Sequence, residues 1–275
     1  MKIGIIGNGF VGKATALLLP EEDVLVYDIN PDLCIPKNIT IDDLQNYCKF
    51  IFICVPTPMI ENGKCYLGMV ENVINQLDLE KSHIILRSTV PVGTCRKIGV
   101  NFMPEFLTEK NWKNDFINCE NWILGSDDKI FCENIIELFN LSKQLGKIYY
   151  NNIHFCSLEE AEAIKLFRNN FLAIKVSFCN EFYNFCSSKN INYNNIVQFA
   201  TLDKRIGNSH TAVPGHDGHF GFGGTCFPKD LNSLIYQMDE NEVPNCLLKA
   251  VKYRNENIDR KGDDWKEEGR SVVNK

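Results

Sequence analysis

The chain has no apolar run approaching the ~18 residues that a membrane span requires, although 44% of its residues are hydrophobic. That content is cut into short runs, the pattern of a folded core. Basic residues are not in excess: 29 Lys and Arg stand against 35 Asp and Glu, a net charge of -6, so the electrostatic footprint of a nucleic-acid binder is missing. The 12 cysteines include no CxxC spacing. They are scattered, and some fall inside apolar runs such as FIFICV, which reads as the reduced thiols of a cytoplasmic protein rather than a disulfide framework. Internal repeats and low-complexity tracts are absent. MKIGIIGNGF passes directly into a strand pattern, so no signal peptide is expected. The 275 residues leave room for two domains.

The first positive signal lies in residues 1–28. KIGIIG is a short apolar run of strand type, GNGFVG supplies Gly7, Gly9 and Gly12, ATALLL opens a helical period, and DVLVYD gives a second strand ending in Asp28. Strand, glycine turn, helix, strand and acid in this order make the dinucleotide-binding fingerprint. Gly7 makes the tight turn, Gly9 lets a pyrophosphate approach, Gly12 packs helix on strand, and Asp28 accepts from ribose hydroxyls. An acid there repels a 2'-phosphate, so NAD is expected over NADP.

FIFICVPTP is a buried parallel-type strand stopped by prolines, and HIILRS is another. They bring Thr57 and the pair Ser88 and Thr89 to carboxyl ends of strands, where open α/β sheets bind ligands. Turn chemistry and ligand contact are equally good readings of those hydroxyls. A strand over 98–103 precedes PEFLTEK, where Glu105 and Glu109 share one side if the segment is helical. A strand at 122–125, a helix from DDKIFCENIIELFNLSKQLG and a last strand, KIYY, complete the alternation. The expected fold is α/β: a doubly wound parallel sheet over 1–150, followed by a helical middle domain over 151–260 and a charged tail over 261–275.

The middle domain opens with Ser157 and Glu160 as a capping box. A long helix follows, with Ile164, Phe167, Phe171, Ile174, Phe178, Phe182 and Phe185 recurring every three or four residues, a stripe that belongs in a core or a subunit interface. Lys165 and Asn169, four apart, share a face; an ammonium and an amide there can stabilise negative charge on oxygen. The loop RIGNSHTAVPGHDGHFGFGG carries Arg205, suited to a sugar or phosphate oxygen. It also holds His210, His216 and His219, which lack cysteine or acidic partners at metal-ligand spacing, so no metal is expected. In GFGGTCFPKD, Cys226 follows a glycine run and precedes Pro228 and Asp230 at a helix start. The macrodipole there favours a thiolate, and Gly221, Gly223 and Gly224 let a ligand approach it.

Taken together, GNGFVG, VPTP, STVPVGT, PEFLTE, LEEAEAIKLFRNNFLAIKVSFCNE and GFGGTCFPKD resemble, in order, the UDP-glucose 6-dehydrogenases and related nucleotide-sugar dehydrogenases, over Met1 to about Ile258. The resemblance implies a Rossmann-type NAD-binding domain and a middle domain whose long helix builds a homodimer. It implies oxidation of a sugar C6 alcohol to a carboxylate, with consumption of two NAD. Cys226 matches the nucleophile that forms a thiohemiacetal and then a thioester. Lys165 and Asn169 match oxyanion stabilisers, Asp230 an acid acting through water, and Thr89 and Glu109 holders of the catalytic water, Glu109 being the base. Glu105, Phe106, Leu107, Glu109, Lys165, Asn169, Arg205 and Gly223 fall at substrate positions. Gly7, Gly9, Val11, Gly12, Asp28, Thr57, Thr89 and Lys229 fall at cofactor positions. Typical members continue into a third, UDP-binding domain that this sequence does not carry; the segment after Asp28 is shorter, and the loop from Arg205 to Cys226 longer. The alternative expectation is a catalytically idle or split-enzyme remnant that binds NAD or a partner chain.

Overall fold

A computed structural model describes residues 1–262 and 272–273; the remainder of the expected charged tail lies outside the described residues. The chain divides into two compact units. The first comprises Met1–Thr57 and Leu67–Lys165, the second Pro58–Tyr66 and Leu166–Lys275.

In the first unit seven strands form one sheet: β1 (Ile3–Ile6), β2 (Val24–Tyr27), β3 (Phe50–Ile53), β4 (His83–Leu86), β5 (Asn101–Phe102), β6 (Asn121–Gly125) and β7 (Asn152–Cys156), in the order β2-β1-β3-β4-β5-β6-β7. Neighbours run parallel except β5 and β6, which meet antiparallel through Phe102 and Gly125. The helices are α1 (Phe10–Ala16), α2 (Ile41–Tyr47), α3 (Gly68–Ile74), α4 (Thr94–Ile98), α5 (Trp112–Ile117) and α6 (Lys129–Gln144).

The two-residue period of β3 shows why the sheet is covered on both faces. Phe50 and Phe52 point into a cluster with Ile3, Ile5, Phe116, Phe131 and Phe139. Ile51 and Ile53 point into another, with Ile6, Leu44, Val70 and Leu86. Each face of so apolar a strand must be buried, and helices on both sides do it. The strand order reverses between β1 and β3, the switch point where such sheets bind ligands.

Two expectations are corrected here. KIYY is not the last strand: pairing with β6 begins at Asn152, and Tyr149 and Tyr150 are exposed. Nor is the segment around Glu105 helical. The Glu105 carbonyl, which a helix would offer to Glu109, accepts from Lys165 Nζ at 2.6 Å, and the Glu105 carboxylate bends back to the Leu107 N–H at 2.9 Å.

A 31-residue helix, α7 (Leu158–Ser188), begins in the first unit and continues through the second. Ser157 and Glu160 cap it reciprocally, backbone N–H to side chain in each direction, at 2.9 and 3.3 Å. In the second unit follow α8 (Tyr193–Ala200), α9 (Phe227–Glu240) and α10 (Cys246–Arg254), the last running into a π-helical turn over Asn255–Asp259. Ala173 of α7 packs with Phe222, Leu231, Ile235, Leu248 and Val251. Farther along, Cys179 and Cys186 pack with Tyr193 and Val213. Of the phenylalanine stripe, Phe167, Phe171, Phe178 and Phe185 face outward, between 50% and 71% exposed. Pro58–Tyr66 folds back on itself through Met59 and Cys65, and Met59 also bridges Val272, with the Val273 N–H donating to the Met59 carbonyl at 2.9 Å.

Candidate active site

In the first unit β1 delivers its chain to Gly7, whose φ of 98° is left-handed; a Cβ there would stand 2.8 Å from the Cys54 carbonyl oxygen. A Cβ at Gly12 would lie 1.9 Å from the Gly7 carbonyl oxygen, so turn and helix touch, whereas above Gly9 nothing stands within 4 Å. That open face is the approach a pyrophosphate requires. Asp28, at the end of β2, accepts the Asn8 N–H at 2.7 Å on one carboxylate oxygen and the Asn30 N–H at 2.9 Å on the other. This holds its acceptors beside the turn. Val11, one residue into α1, accepts from the Thr15 hydroxyl at 2.7 Å. These residues fit the adenosine and pyrophosphate of a dinucleotide.

At the neighbouring strand ends, the Thr57 hydroxyl donates to the Thr89 carbonyl at 2.7 Å and the Ser88 hydroxyl to the Val55 carbonyl at 2.6 Å. The hydroxyls pin the end of β3 to the end of β4. Behind Thr89, the Gly93 and Cys95 N–H groups donate at 2.5 and 2.7 Å to Glu162, a fully buried carboxylate on α7. Burial pushes the Glu162 carboxyl above the usual range, against the lowering effect of those two N–H groups.

Lys165 is also buried. Its ammonium donates to the Glu105 carbonyl and, at 2.7 Å, to the Glu105 carboxylate, with the Phe106 ring centroid 5.7 Å away. Leu107 is half-buried and Glu109 exposed.

In the second unit Cys226 is the N-cap of α9, with Pro228 in the first turn and Asp230 one turn on. Asp230 is fully buried. One of its oxygens accepts from Lys229 Nζ at 2.8 Å and the other from Asn169 Nδ2 at 2.6 Å. Burial opposes the charge on Lys229, but the Asp230 carboxylate beside it outweighs that and raises its pKa. Two donors on a carboxylate with no solvent exposure make a fixed anion below the cysteine. Gly223, three residues ahead of Cys226, is overlain by Arg260, whose guanidinium carbon would meet a Cβ there at 2.3 Å. Arg205 stands apart, its side chain 89% exposed and paired with Asp203 at 2.5 Å.

Glu162, Asn255 and Arg260 were not singled out by pattern. Glu162 has the weak signal of an acid on the inward face of an amphipathic helix; an asparagine that bonds a distant backbone has none. Among the described residues no three His, Cys, Asp or Glu gather as a metal would need, and no helix is long and apolar enough to cross a membrane.

Residues 37–143 match the NAD binding domain, and residues 159–257 the central domain, of the UDP-glucose/GDP-mannose dehydrogenase family. A UDP-glucose 6-dehydrogenase from Campylobacter jejuni is 30% identical over 296 residues, covering 93% of this chain and 72% of that protein. The chain belongs to the UDP-glucose/GDP-mannose dehydrogenase family. A UDP-glucose 6-dehydrogenase from Rickettsia prowazekii is 28% identical, covering 91% of this chain and 66% of its own length. Among solved structures, a UDP-glucose dehydrogenase from Pyrobaculum islandicum superposes with a TM-score of 0.80 at 24% identity, covering 93% of this chain and 68% of that one. A 3-hydroxyisobutyrate dehydrogenase from Mycobacterium tuberculosis reaches 0.68 at 14% identity and is covered over 91% of its length, a likeness of fold alone. NAD is the cofactor of the family domain matched. The glycine turn lies upstream of that matched span, so its assignment rests on the geometry of Gly7, Gly9, Gly12 and Asp28.

Proposed function

We propose that the chain oxidises the C6 alcohol of a nucleotide sugar, UDP-glucose first among them, to the carboxylate, working as a homodimer in the cytoplasm. The observation that carries this reading is Cys226 at the start of α9 with Asp230 one turn below, held by Lys229 and Asn169. NAD, when bound, accepts the two hydrides. Making an acid from an alcohol requires that the aldehyde be kept between the two oxidations, and a bond to sulfur keeps it.

In this reading the Cys226 thiolate adds to the aldehyde carbon. The C–S bond forms, and the carbonyl electron pair moves to oxygen, where Lys165 and Asn169 stabilise it. Loss of the second hydride from that carbon leaves a thioester. Water, deprotonated by Glu109 and held with Thr89, adds to the thioester carbon; the C–S bond breaks and the carboxylate leaves. Asp230 takes the first alcohol proton through a water. Glu105, Phe106, Leu107, Arg205 and Gly223 are assigned to substrate, and Gly7, Gly9, Val11, Gly12, Asp28 and Thr57 to NAD. Lys229, also assigned to NAD, has the further task of holding Asp230. The scatter of the 12 cysteines along the chain, with no CxxC spacing, supports the cytoplasmic placement. The outward phenylalanines of α7 support the dimer: Phe167, Phe171, Phe178 and Phe185 fall within roughly 40° of arc at ~100° per residue, a contiguous stripe rather than scattered exposure.

The test is NAD reduction by the purified chain with a panel of UDP- and GDP-sugars. Two NADH per UDP-glucose, abolished by Cys226→Ala, is the expected result. No NADH from any sugar, with NAD binding intact, would replace this reading with that of an idle binder.

A further inference from the structure

The glycine-rich loop ahead of Cys226 is held by side chains that none of the assigned roles uses. Asn255, in the π-helical turn after α10, is 2% exposed and faces the Phe222 peptide. Its Oδ1 accepts the Phe222 N–H at 2.8 Å, and its Nδ2 donates to the Phe222 carbonyl at 2.9 Å. One amide thus satisfies both polar groups of one residue, as a neighbouring β-strand would. Asn180 of α7, also 2% exposed, accepts the preceding N–H, that of Gly221, at 3.1 Å.

The backbone at this point has little freedom to do otherwise. Gly221 is left-handed at φ 68°, and a Cβ on it would stand 2.3 Å from Asn255 Oδ1. On the next glycine, Gly223, lies the Arg260 guanidinium, anchored to Asp217 at 2.6 Å. The Arg260 N–H in turn donates to the Asn255 backbone carbonyl at 2.8 Å. The π-helical turn therefore presents the Asn255 side chain to Phe222 and the Arg260 side chain to Gly223. Such turns recur at functional sites because they re-aim side chains within a helix.

We propose that Asn255 is a positioning residue for the nucleophile: its paired hydrogen bonds to Phe222 fix the Gly221–Thr225 loop and so the place from which the Cys226 thiolate attacks. This rests on the reading of Cys226 as the nucleophile. It adds a group from the far end of the unit, 29 residues after the cysteine, to those the reaction depends on.

The discriminating variant is Asn255→Asp in the full chain. A carboxylate keeps the acceptor for the Phe222 N–H but sets a second acceptor against the Phe222 carbonyl; once protonated it regains a donor. Arg254 at the end of α10, Glu256 and Asp259 of the π-helical turn, Arg260, Asp217 of the preceding loop and Glu181 of α7 are charged groups on the elements around it. They are present in both proteins, so the ratio of variant to native isolates the new carboxyl. At about pH 8, kcat with UDP-glucose falls on the order of a hundredfold, the size of effect a misplaced reacting group produces, while KM for NAD stays as in the native protein. The ratio then rises toward one as the pH is lowered and the carboxyl takes up its proton. A purely structural defect gives a ratio flat in pH and overturns the proposal, as does native-like kcat at pH 8.

Two measurements need no turnover. Iodoacetamide labelling of Cys226, mapped by mass spectrometry against exposed Cys246, changes in the variant with the same pH dependence; an unchanged Cys226 rate overturns the proposal. If Asn255→Asp fails to fold, hydrogen exchange on the native protein decides: the Phe222 amide is protected as strongly as the α9 backbone, and rapid exchange there overturns it. Should the native chain reduce no NAD with any nucleotide sugar, the reading of the reaction fails, and the labelling and exchange results still judge the positioning role.

Discussion

Lys165 meets Glu105 twice, its ammonium donating to the backbone carbonyl at 2.6 Å and to the carboxylate at 2.7 Å, with both side chains buried. The same ammonium that is assigned to an oxyanion therefore also shapes the PEFLTE segment assigned to substrate. Removing it does two separable things.

Lys165→Met leaves Glu105 as an uncompensated buried charge, and the expected loss of stability is ~3–5 kcal/mol. Lys165→Met combined with Glu105→Leu recovers most of that stability, because neither charge remains. Neither variant turns over UDP-glucose. Urea unfolding beside the NADH assay checks this; activity in the double variant would remove Lys165 from the reaction.

Glu162 makes stability depend on pH in a stated direction. Its carboxyl is raised in the folded protein by burial, so between the ordinary glutamate value of ~4.3 and the raised one the folded state binds more protons than the unfolded chain. The stability linked to it is complete below that window and is lost as pH rises through the raised value. Surface carboxylates lowered by their partners, such as Asp239 beside Lys249, slope the other way, so the comparison is with Glu162→Gln. The urea midpoint of the native protein drops relative to that of the variant as pH climbs from about 4; parallel curves would show that Glu162 does not titrate in this way.

Thiol reactivity separates the cysteines by burial. Burial pushes Cys54 and Cys48 up to about 11 and raises Cys95 further, with Glu162 adding to the effect. Near pH 7.5 roughly one in a thousand or fewer of these thiols is a thiolate. Iodoacetamide should label exposed Cys246 while all three remain unmodified until the protein is unfolded. Labelling of Cys95, which has no solvent exposure, at the rate of Cys246 would contradict its buried position.

The phenylalanine stripe predicts its own partner. Phe171→Asp with Phe178→Asp should convert a dimer to a monomer in light scattering and leave the far-ultraviolet circular dichroism native, since both rings are exposed on the single chain. A native chain that runs as a monomer would end the dimer proposal.

The doubly wound sheet was legible because its signal is local and repeated. Phe50–Ile53 must be covered on both faces, and residues 128–144 carry a capped helix whose apolar residues fall on one side. Cys226 was legible as a helix start because glycines, Pro228 and Asp230 each mark the same boundary. Features set by distant partners escaped. Glu105 and Glu109 are spaced for a helix, but Lys165, 60 residues away, takes the carbonyl that the helix would have used. The phenylalanines of α7 have helical spacing, yet period alone does not say which face is inward. Ala173, Cys179, Asn169, Asn180 and Cys186 take the buried side. Asn255 has no periodic signature, because it bonds a backbone peptide 33 residues away.

The excursion of Pro58–Tyr66 changes what counts as a removable part. The polypeptide passes from one unit to the other three times, at 57/58, 66/67 and 165/166, so no single cut yields either unit whole. A fragment beginning at Leu166 lacks Met59, the bridging partner of Val272. A fragment ending at Lys165 carries a hairpin stripped of the neighbours it packs on. Recombination between relatives that exchanged only the chain beyond residue 165 would mix a hairpin from one parent with the α9 lysine and aspartate of another. A swap of Cys226 that keeps its unit whole therefore also carries the nine residues Pro58–Tyr66, encoded 160 codons or more upstream.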